Sequence, residues 1–207
     1  VTATRQQHTP VAYGGKVALR HAVVESFELP RLRVLDAFAG NGRLWRDVAG
    51  RTTTKLEVAS IDKRSMNRLN MRADNRRVLA AIDLDYFDVI DLDAWGVPAE
   101  QVQTIAQRGY RGPIIWTCIA VVFGLMPAAV TESEGIPSEW RDVSSTLFGE
   151  HDAASLADRW CSYLTRLGWS HHGWFTTPDT ASKLYGVSSV DELPISAHEF
   201  AERYHCP

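Results

Sequence analysis

Residues Val34-Leu35-Asp36-Ala37-Phe38-Ala39-Gly40-Asn41-Gly42 run from an apolar strand pattern into a glycine turn, and residues 42–49 then take a helical apolar period. A strand, tight turn and helix in this order put the turn at the carboxyl end of a parallel strand. There a bound ligand meets glycine backbone and the start of a helix, which favours a carboxylate or phosphate. Twenty residues after Gly42, Asp62 closes a second apolar run, Lys55–Asp62. An acid at that point hydrogen-bonds the ribose hydroxyls of an adenosine.

The rest of the chain repeats the alternation. Residues 32–38, Lys55–Asp62, a stretch near 69–73, 86–92 and the strongly apolar 112–122 read as strands, with 169–177 as a last strand. Residues 42–49, 63–71 (Met66, Leu69 and Met71 on one face), 78–84, Ala99–Gln107 and 153–167 read as helices. Strand and helix in alternation predict an α/β, Rossmann-like fold with a mostly parallel central sheet and helices on both faces. One core serves a chain of 207 residues. Residues 1–207 are therefore read as one domain, with 1–30 an N-terminal segment on the substrate side and 124–207 a loop, a helix and the last strand.

The turn discriminates between cofactors. A dinucleotide site wants a third glycine three residues after Gly42, and Trp45 stands there, too large for a helix to pack closely against a pyrophosphate. S-adenosylmethionine has no pyrophosphate. It needs a tight turn beside its methionine part, an acid before the turn and an acid on the ribose, and Asp36, Gly40, Gly42 and Asp62 supply these. Asp36 also reads as a cap on the approach to the helix. Asp74, followed by Asn75, offers a third acid that either accepts from the adenine amine or N-caps the helix after it, and the two are compatible.

The fourth strand ends in Asp91-Leu92-Asp93-Ala94-Trp95-Gly96. Carboxylates buried without partners cost several kcal/mol, so something must face Asp91 and Asp93. Beside a cofactor turn, Asp93 suits the hydrogen bond of an amine to be methylated, and Trp95 is either core or a stacking platform for a planar base. Asp91 also reads as an anchor for the turn.

Charge is unevenly placed. Residues 1–77 hold 15 Lys/Arg against 7 Asp/Glu, and residues 78–207 hold 7 against 18. Such asymmetry either gives one side a field that attracts a polyanion or leaves Arg64, Arg68, Arg72, Arg76 and Arg77 as a solvated helix face. Lys16 and Arg20 likewise read as phosphate contacts or as a solvated helix face. His171 and His172, adjacent in a strand, point to opposite faces and do not suit one metal ion, so no metal is expected. Cys118, Cys161 and Cys206 form no C-x-x-C pair and leave one over, which fits a reducing compartment. The opening VTATRQQHTP has no signal-peptide core and no run is long enough to span a membrane, so a soluble, unsecreted, cytoplasmic protein is expected. Val1 in place of Met implies that residues precede it.

Three segments carry a family resemblance: Tyr13-Gly14-Gly15-Lys16-x-Ala18-Leu19-Arg20, Asp36-Ala37-Phe38-Ala39-Gly40-x-Gly42 and Asp88-Val89-Ile90-Asp91-Leu92-Asp93-Ala94-Trp95-Gly96. They resemble the catalytic domain of class I S-adenosylmethionine-dependent methyltransferases, and within them the tRNA guanine-N2 dimethyltransferases. In that group the fourth-strand motif reads Asp-Pro-Phe-Gly. Asp93, Trp95 and Gly96 fall on three of its four positions, while Ala94 stands where the family has Pro. Gly112–Cys118 resembles the family's fifth strand without its downstream Thr-Asp. The resemblance covers about residues 11–120; the family proteins are longer and carry an extra C-terminal domain that grips tRNA, and about 85 residues follow the fifth strand here.

It implies S-adenosylmethionine as cofactor, with Asp36, Ala37, Gly40, Asn41 and Gly42 on the methionine side, Asp62 on the ribose and Asp74 with Asn75 on the adenine. Asp91 would adjoin them. Asp93, Trp95 and Gly96 would form the acceptor site, with Lys16 and Arg20 on substrate phosphate. The implied reaction is methylation of an exocyclic base amine of nucleic acid, RNA guanine first. DNA, a free nucleotide or another small molecule as acceptor, and a binding module without turnover, are the alternatives.

Overall fold

The computed structural model describes residues 10–63, 71–119, 130, 153–176 and 183–191. They form a seven-stranded sheet of β1 (Arg31–Asp36), β2 (Lys55–Asp62), β3 (Met71–Arg72), β4 (Val89–Leu92), β5 (Ile114–Ile119), β6 (Ser170–Thr176) and β7 (Lys183–Ser189). The order is β3-β2-β1-β4-β5-β7-β6. The first five strands pair in parallel; β7 lies antiparallel to β5, and β6 antiparallel to β7. The chain leaves β1 toward β2 on one side and returns to place β4 on the other. That reversal opens a crevice at the carboxyl ends of β1 and β4, where ligands bind in open α/β sheets.

Helices cover both faces. α1 (Pro10–Ser26) and α2 (Arg43–Ala49) bury Val17, Val23, Trp45 and Val48 against Leu32, Val34, Val89 and Ile115. α3 (Asn75–Ala81), α4 (Ala99–Gln107) and α5 (Ala153–Arg166) bury Leu79, Val102, Ile105 and Trp160 against Leu35, Ile90, Leu92 and Trp116 on the opposite face. The alternation of strand side chains explains this division: Leu32, Val34 and Asp36 share one face, and Leu35 takes the other.

The α/β reading and most element positions hold, with corrections. α3 begins at Asn75 because the Asp74 side chain accepts the Arg76 amide (3.0 Å), and it ends at Ala81 because Ile82 is extended. Residues 86–88 precede β4 instead of forming its start. Arg72 lies on β3 and Arg76 and Arg77 on α3, so these arginines share no single helix; Arg64 and Arg68 lie outside the described residues. The helix expected over 63–71 falls mostly outside the described residues too, and its residue 71 belongs to β3.

β6 is not the last strand. β7 follows it, disguised in the sequence by Gly186, where an added Cβ would collide with the Trp116 ring. That glycine lets the indole of β5 lie across the neighbouring strand. No helix among the described residues is long and apolar enough to cross a membrane.

Candidate functional site

α1 brings two cations to the carboxyl end of the sheet. Lys16 and Arg20 stand four residues apart, hence on one helix face. Both are buried, at 3% and 0% exposure. Arg20 donates Nε and Nη2 to the two oxygens of Asp91, each at 2.7 Å, and Nη1 to the Lys16 carbonyl. The Trp45 indole N–H donates to Asp91 Oδ2 at 2.8 Å. Lys16 Nζ lies 2.6 and 2.7 Å from the two oxygens of Asp93, and Thr117 of β5 donates to Asp93 Oδ1 at 2.7 Å. The ammonium also sits 5.5 Å from the centre of the Tyr185 ring of β7, within range of a cation–π contact.

This corrects the view of Lys16 and Arg20 as a solvated helix face. Burying a cation costs more than an exposed position unless a carboxylate meets it, and both are engaged by aspartates of β4 and the residues just after it.

Asp36 of β1 is the third acid. It is 3% exposed and accepts from the Phe38 amide at 3.3 Å. Burial, and then the charge of Asp91, push its carboxyl well above the ordinary value. Burial also pushes on Asp93, but the Lys16 ammonium, the Arg20 guanidinium and the hydrogen bonds of Lys16 and Thr117 outweigh it. Asp93 is held well below the usual carboxylate range.

The residues expected on the cofactor side gather around the ends of β1, β2 and β3. Gly40 and Gly42 take the left-handed region, at φ 53° and 67°, and Gly42 precedes α2. Asn41 Oδ1 accepts the Arg43 amide at 3.0 Å. Asp62 Oδ2 accepts the Gly40 amide at 2.8 Å, so this acid is also a brace of the turn. Asn75 is buried and donates to the Ala37 carbonyl at 3.0 Å, while the Ala37 amide donates to the Asp91 carbonyl at 3.0 Å. Asp74, besides capping α3, lies 3.2 Å from Lys63.

Trp95 and Gly96 follow Asp93 on the loop after β4. Trp95 is 55% exposed, which rules out the core reading of its ring, and Lys183 Nζ lies 5.8 Å from the ring centre. Gly96 has a φ of 138°. His171 and His172 bond separately to Ser188 and Ser189 across β6 and β7. Among the described residues no group of three or more His, Cys, Asp or Glu is arranged to hold a metal.

Sequence reasoning missed Thr117, the Trp45 N–H, Tyr185 and Lys183. Strand parity is the signal that finds Thr117: Val34/Asp36, Val89/Asp91/Asp93 and Ile115/Thr117 run along the α1-facing side of adjacent strands. For Lys16 and Arg20 the signal is a pair of i,i+4 cations on a helix otherwise rich in Ala and Val.

No protein-family model and no curated protein matches the sequence. Solved structures do. Trm1 from Pyrococcus horikoshii, solved with S-adenosyl-L-methionine, is similar at 18% identity and a TM-score of 0.50, over 91% of this chain and 57% of that one. The plantazolicin methyltransferase BpumL, in complex with SAH, is similar at 9% identity and TM-score 0.52, over 89% and 86%. MNMC2 from Aquifex aeolicus is similar at 12% identity and TM-score 0.51, over 92% and 64%. The chain thus spans a little over half the length of Trm1, and it shares with these structures a Rossmann-like α/β fold, a mostly parallel seven-stranded sheet with helices on both faces.

Proposed function

We propose that this chain is an S-adenosylmethionine-dependent methyltransferase whose acceptor is an exocyclic amine of a nucleic-acid base, RNA guanine being the first to test. The observation that carries the reading is the pairing of a half-buried Asp93, salt-bridged to Lys16, with an exposed Trp95 two residues on, at the carboxyl edge of β4.

The residues present fit the cofactor. At Gly40 an added Cβ would meet nothing within 4 Å, so the turn leaves open space where a ligand approaches the backbone. Asp62 stands beside that space, bonded to the same glycine. Gly40, Asn41 and Gly42 would line the methionine side with Asp36 and Ala37; Asp62 would take the ribose, and Asp74 with Asn75 the adenine edge. Asp91 holds Arg20 and Trp45 beneath them. When bound, the cofactor supplies a methyl group on a positively charged sulfur.

The chain's own work is positioning and electrostatics. A base amine has its lone pair delocalised into the ring. Asp93 Oδ2, which among the described residues takes only the Lys16 ammonium, keeps a lone pair to accept an N–H and so turn the amine lone pair out of the ring plane. The same oxygen is placed to receive the proton the amine sheds, which a weak base manages because a methylated base ammonium is a strong acid. Trp95 offers a face on which the base stacks, worth about 1–3 kcal/mol. Gly96 lets the loop turn beside it.

The test is incubation of the protein with methyl-labelled S-adenosylmethionine and separate RNA, DNA and nucleotide pools. Label in RNA guanine N2 is the expected result. Label in free nucleotides alone replaces the acceptor, and cofactor binding with no transfer to any pool replaces the enzyme with a binding module.

A further inference from the structure

We propose that Lys16 is a positioning residue for the acceptor side of the site: its ammonium pins the Asp93 carboxylate in one orientation, with Oδ2 left to take an N–H of the incoming amine. The inference rests on the reading of Asp93 as the acceptor-orienting group and assigns α1 a part in it.

The geometry is specific. Lys16 reaches both oxygens of Asp93, and Thr117 adds a second bond to Oδ1, so the two oxygens differ in what they hold. Oδ1 is engaged from α1 and from β5. Among the described residues, Oδ2 is engaged by Lys16 only. A carboxylate gripped this way cannot rotate without breaking both contacts, and its side chain keeps 17% exposure.

A surface salt bridge between two flexible chains would contribute little and would leave the rotamer free. Here the lysine is 3% exposed, between the Asp93 carboxylate and the Tyr185 ring. The fold accepts the desolvation of an ammonium at the one acid that faces the acceptor. Arg20 repeats the arrangement one helical turn later, but its partner Asp91 is fully buried and holds Trp45 as well, so that pair is structural.

The charged and titratable groups around Asp93 are Lys16 and Arg20 of α1, Asp91 of β4 and Asp36 of β1, with Thr117 of β5 as a neutral donor and Tyr185 of β7 against the Lys16 ammonium. Of these, Lys16 opposes the burial of Asp93 most strongly. Without it, burial acts on the Asp93 carboxyl against a weaker opposing charge, and the anion takes up a proton more readily as pH falls.

The experiment is a set of turnover profiles between about pH 5.5 and pH 9, on the acceptor pool that wild type methylates, with melting temperature and cofactor affinity measured on each protein. Wild type should show no acid-side fall belonging to Asp93. Lys16→Met should lose about tenfold to a hundredfold in kcat, with the loss steepest on the acid side and cofactor affinity unchanged. Lys16→Arg should restore the flat profile. The double variant Lys16→Met with Asp93→Asn should recover melting temperature while its kcat stays where Asp93→Asn alone puts it. Lys16→Met with wild-type kcat and profile overturns the proposal, as does a double variant whose activity returns along with its stability. A wild type that binds cofactor but methylates no pool removes the acceptor reading, and this proposal with it; an active wild type indifferent to Lys16 removes this proposal alone.

Discussion

Asp36 and Asp91 are Cα partners across the parallel pair β1 and β4, yet the Arg20 guanidinium closes on Asp91 alone. Asp36 is left with the Phe38 amide, and burial followed by the charge of Asp91 raises its carboxyl well above the ordinary 3.8. The folded protein therefore holds the Asp36 proton more tightly than the unfolded chain. The stabilisation from that proton is complete below the ordinary value and is lost as pH rises through the raised one. Asp36→Asn should accordingly melt higher than wild type at neutral pH, by about 2–4 °C for each kcal/mol recovered, and the two curves should converge in acid. Melting curves that stay parallel across the pH range would remove the raised carboxyl from the account.

Breaking the Arg20–Asp91 pair from one side is a harsher change. Arg20→Met leaves a fully buried carboxylate with the Trp45 N–H as its remaining side-chain donor, and removal of one partner of such a pair costs about 3–5 kcal/mol. Adding Asp91→Asn should return more than half of the loss, since the amide oxygen still accepts from Trp45 and no charge is stranded. Urea unfolding of the two variants measures both quantities; equal midpoints would mean that the ion pair does not act as a unit.

The glycine turn separates stability from binding. Gly40→Ala meets no atom within 4 Å in this structure, so its cost to folding is that of a left-handed alanine, about 1–2 kcal/mol. If the cofactor lies over the turn, the methyl group takes its space, and affinity should fall by well over tenfold. Asp62→Ala should weaken binding about tenfold or more, from hydrogen bonds of roughly 1.5–3 kcal/mol to a charged acceptor. Asp62→Asn, which still accepts the Gly40 amide, should keep the turn and lose less. Calorimetric titration with S-adenosylmethionine and its demethylated product decides this, and full affinity in Gly40→Ala would move the cofactor off the turn.

The legible parts of the fold were those in which one local cause acts. β2 and α4 were readable to the residue from an apolar run and an amphipathic period, because nothing distant reshapes their ends. β7 was not, since Gly186 is explained only by Trp116 on another strand. In the site, the aspartates stood out as acids at strand ends. The engagement of Lys16 and Arg20 did not, because it spans 77 and 71 residues of sequence and depends on which strands the sheet makes neighbours. Asp62 was read as a ligand contact, and its bond to the Gly40 amide adds a structural task that its position in the sequence does not reveal.

Trp95 gives the sharpest remaining contrast. Its ring is 55% exposed and packs with the Lys183 ammonium 5.8 Å from its centre, so truncation empties no core site. A buried tryptophan cut to alanine loses about 3–5 kcal/mol of stability; Trp95→Ala should lose far less and leave the melting temperature within a few degrees of wild type. What it should lose is acceptor binding, by about 1–3 kcal/mol, or roughly fivefold to 150-fold in KM, if a base stacks on the indole. Trp95→Phe keeps a face for stacking and should lose less, and neither variant should change cofactor affinity. The measurement is KM and kcat on the acceptor pool beside melting temperature and cofactor titration for wild type and both variants. An unchanged KM in Trp95→Ala would take the aromatic platform out of the site and leave Asp93 as the residue that selects the acceptor.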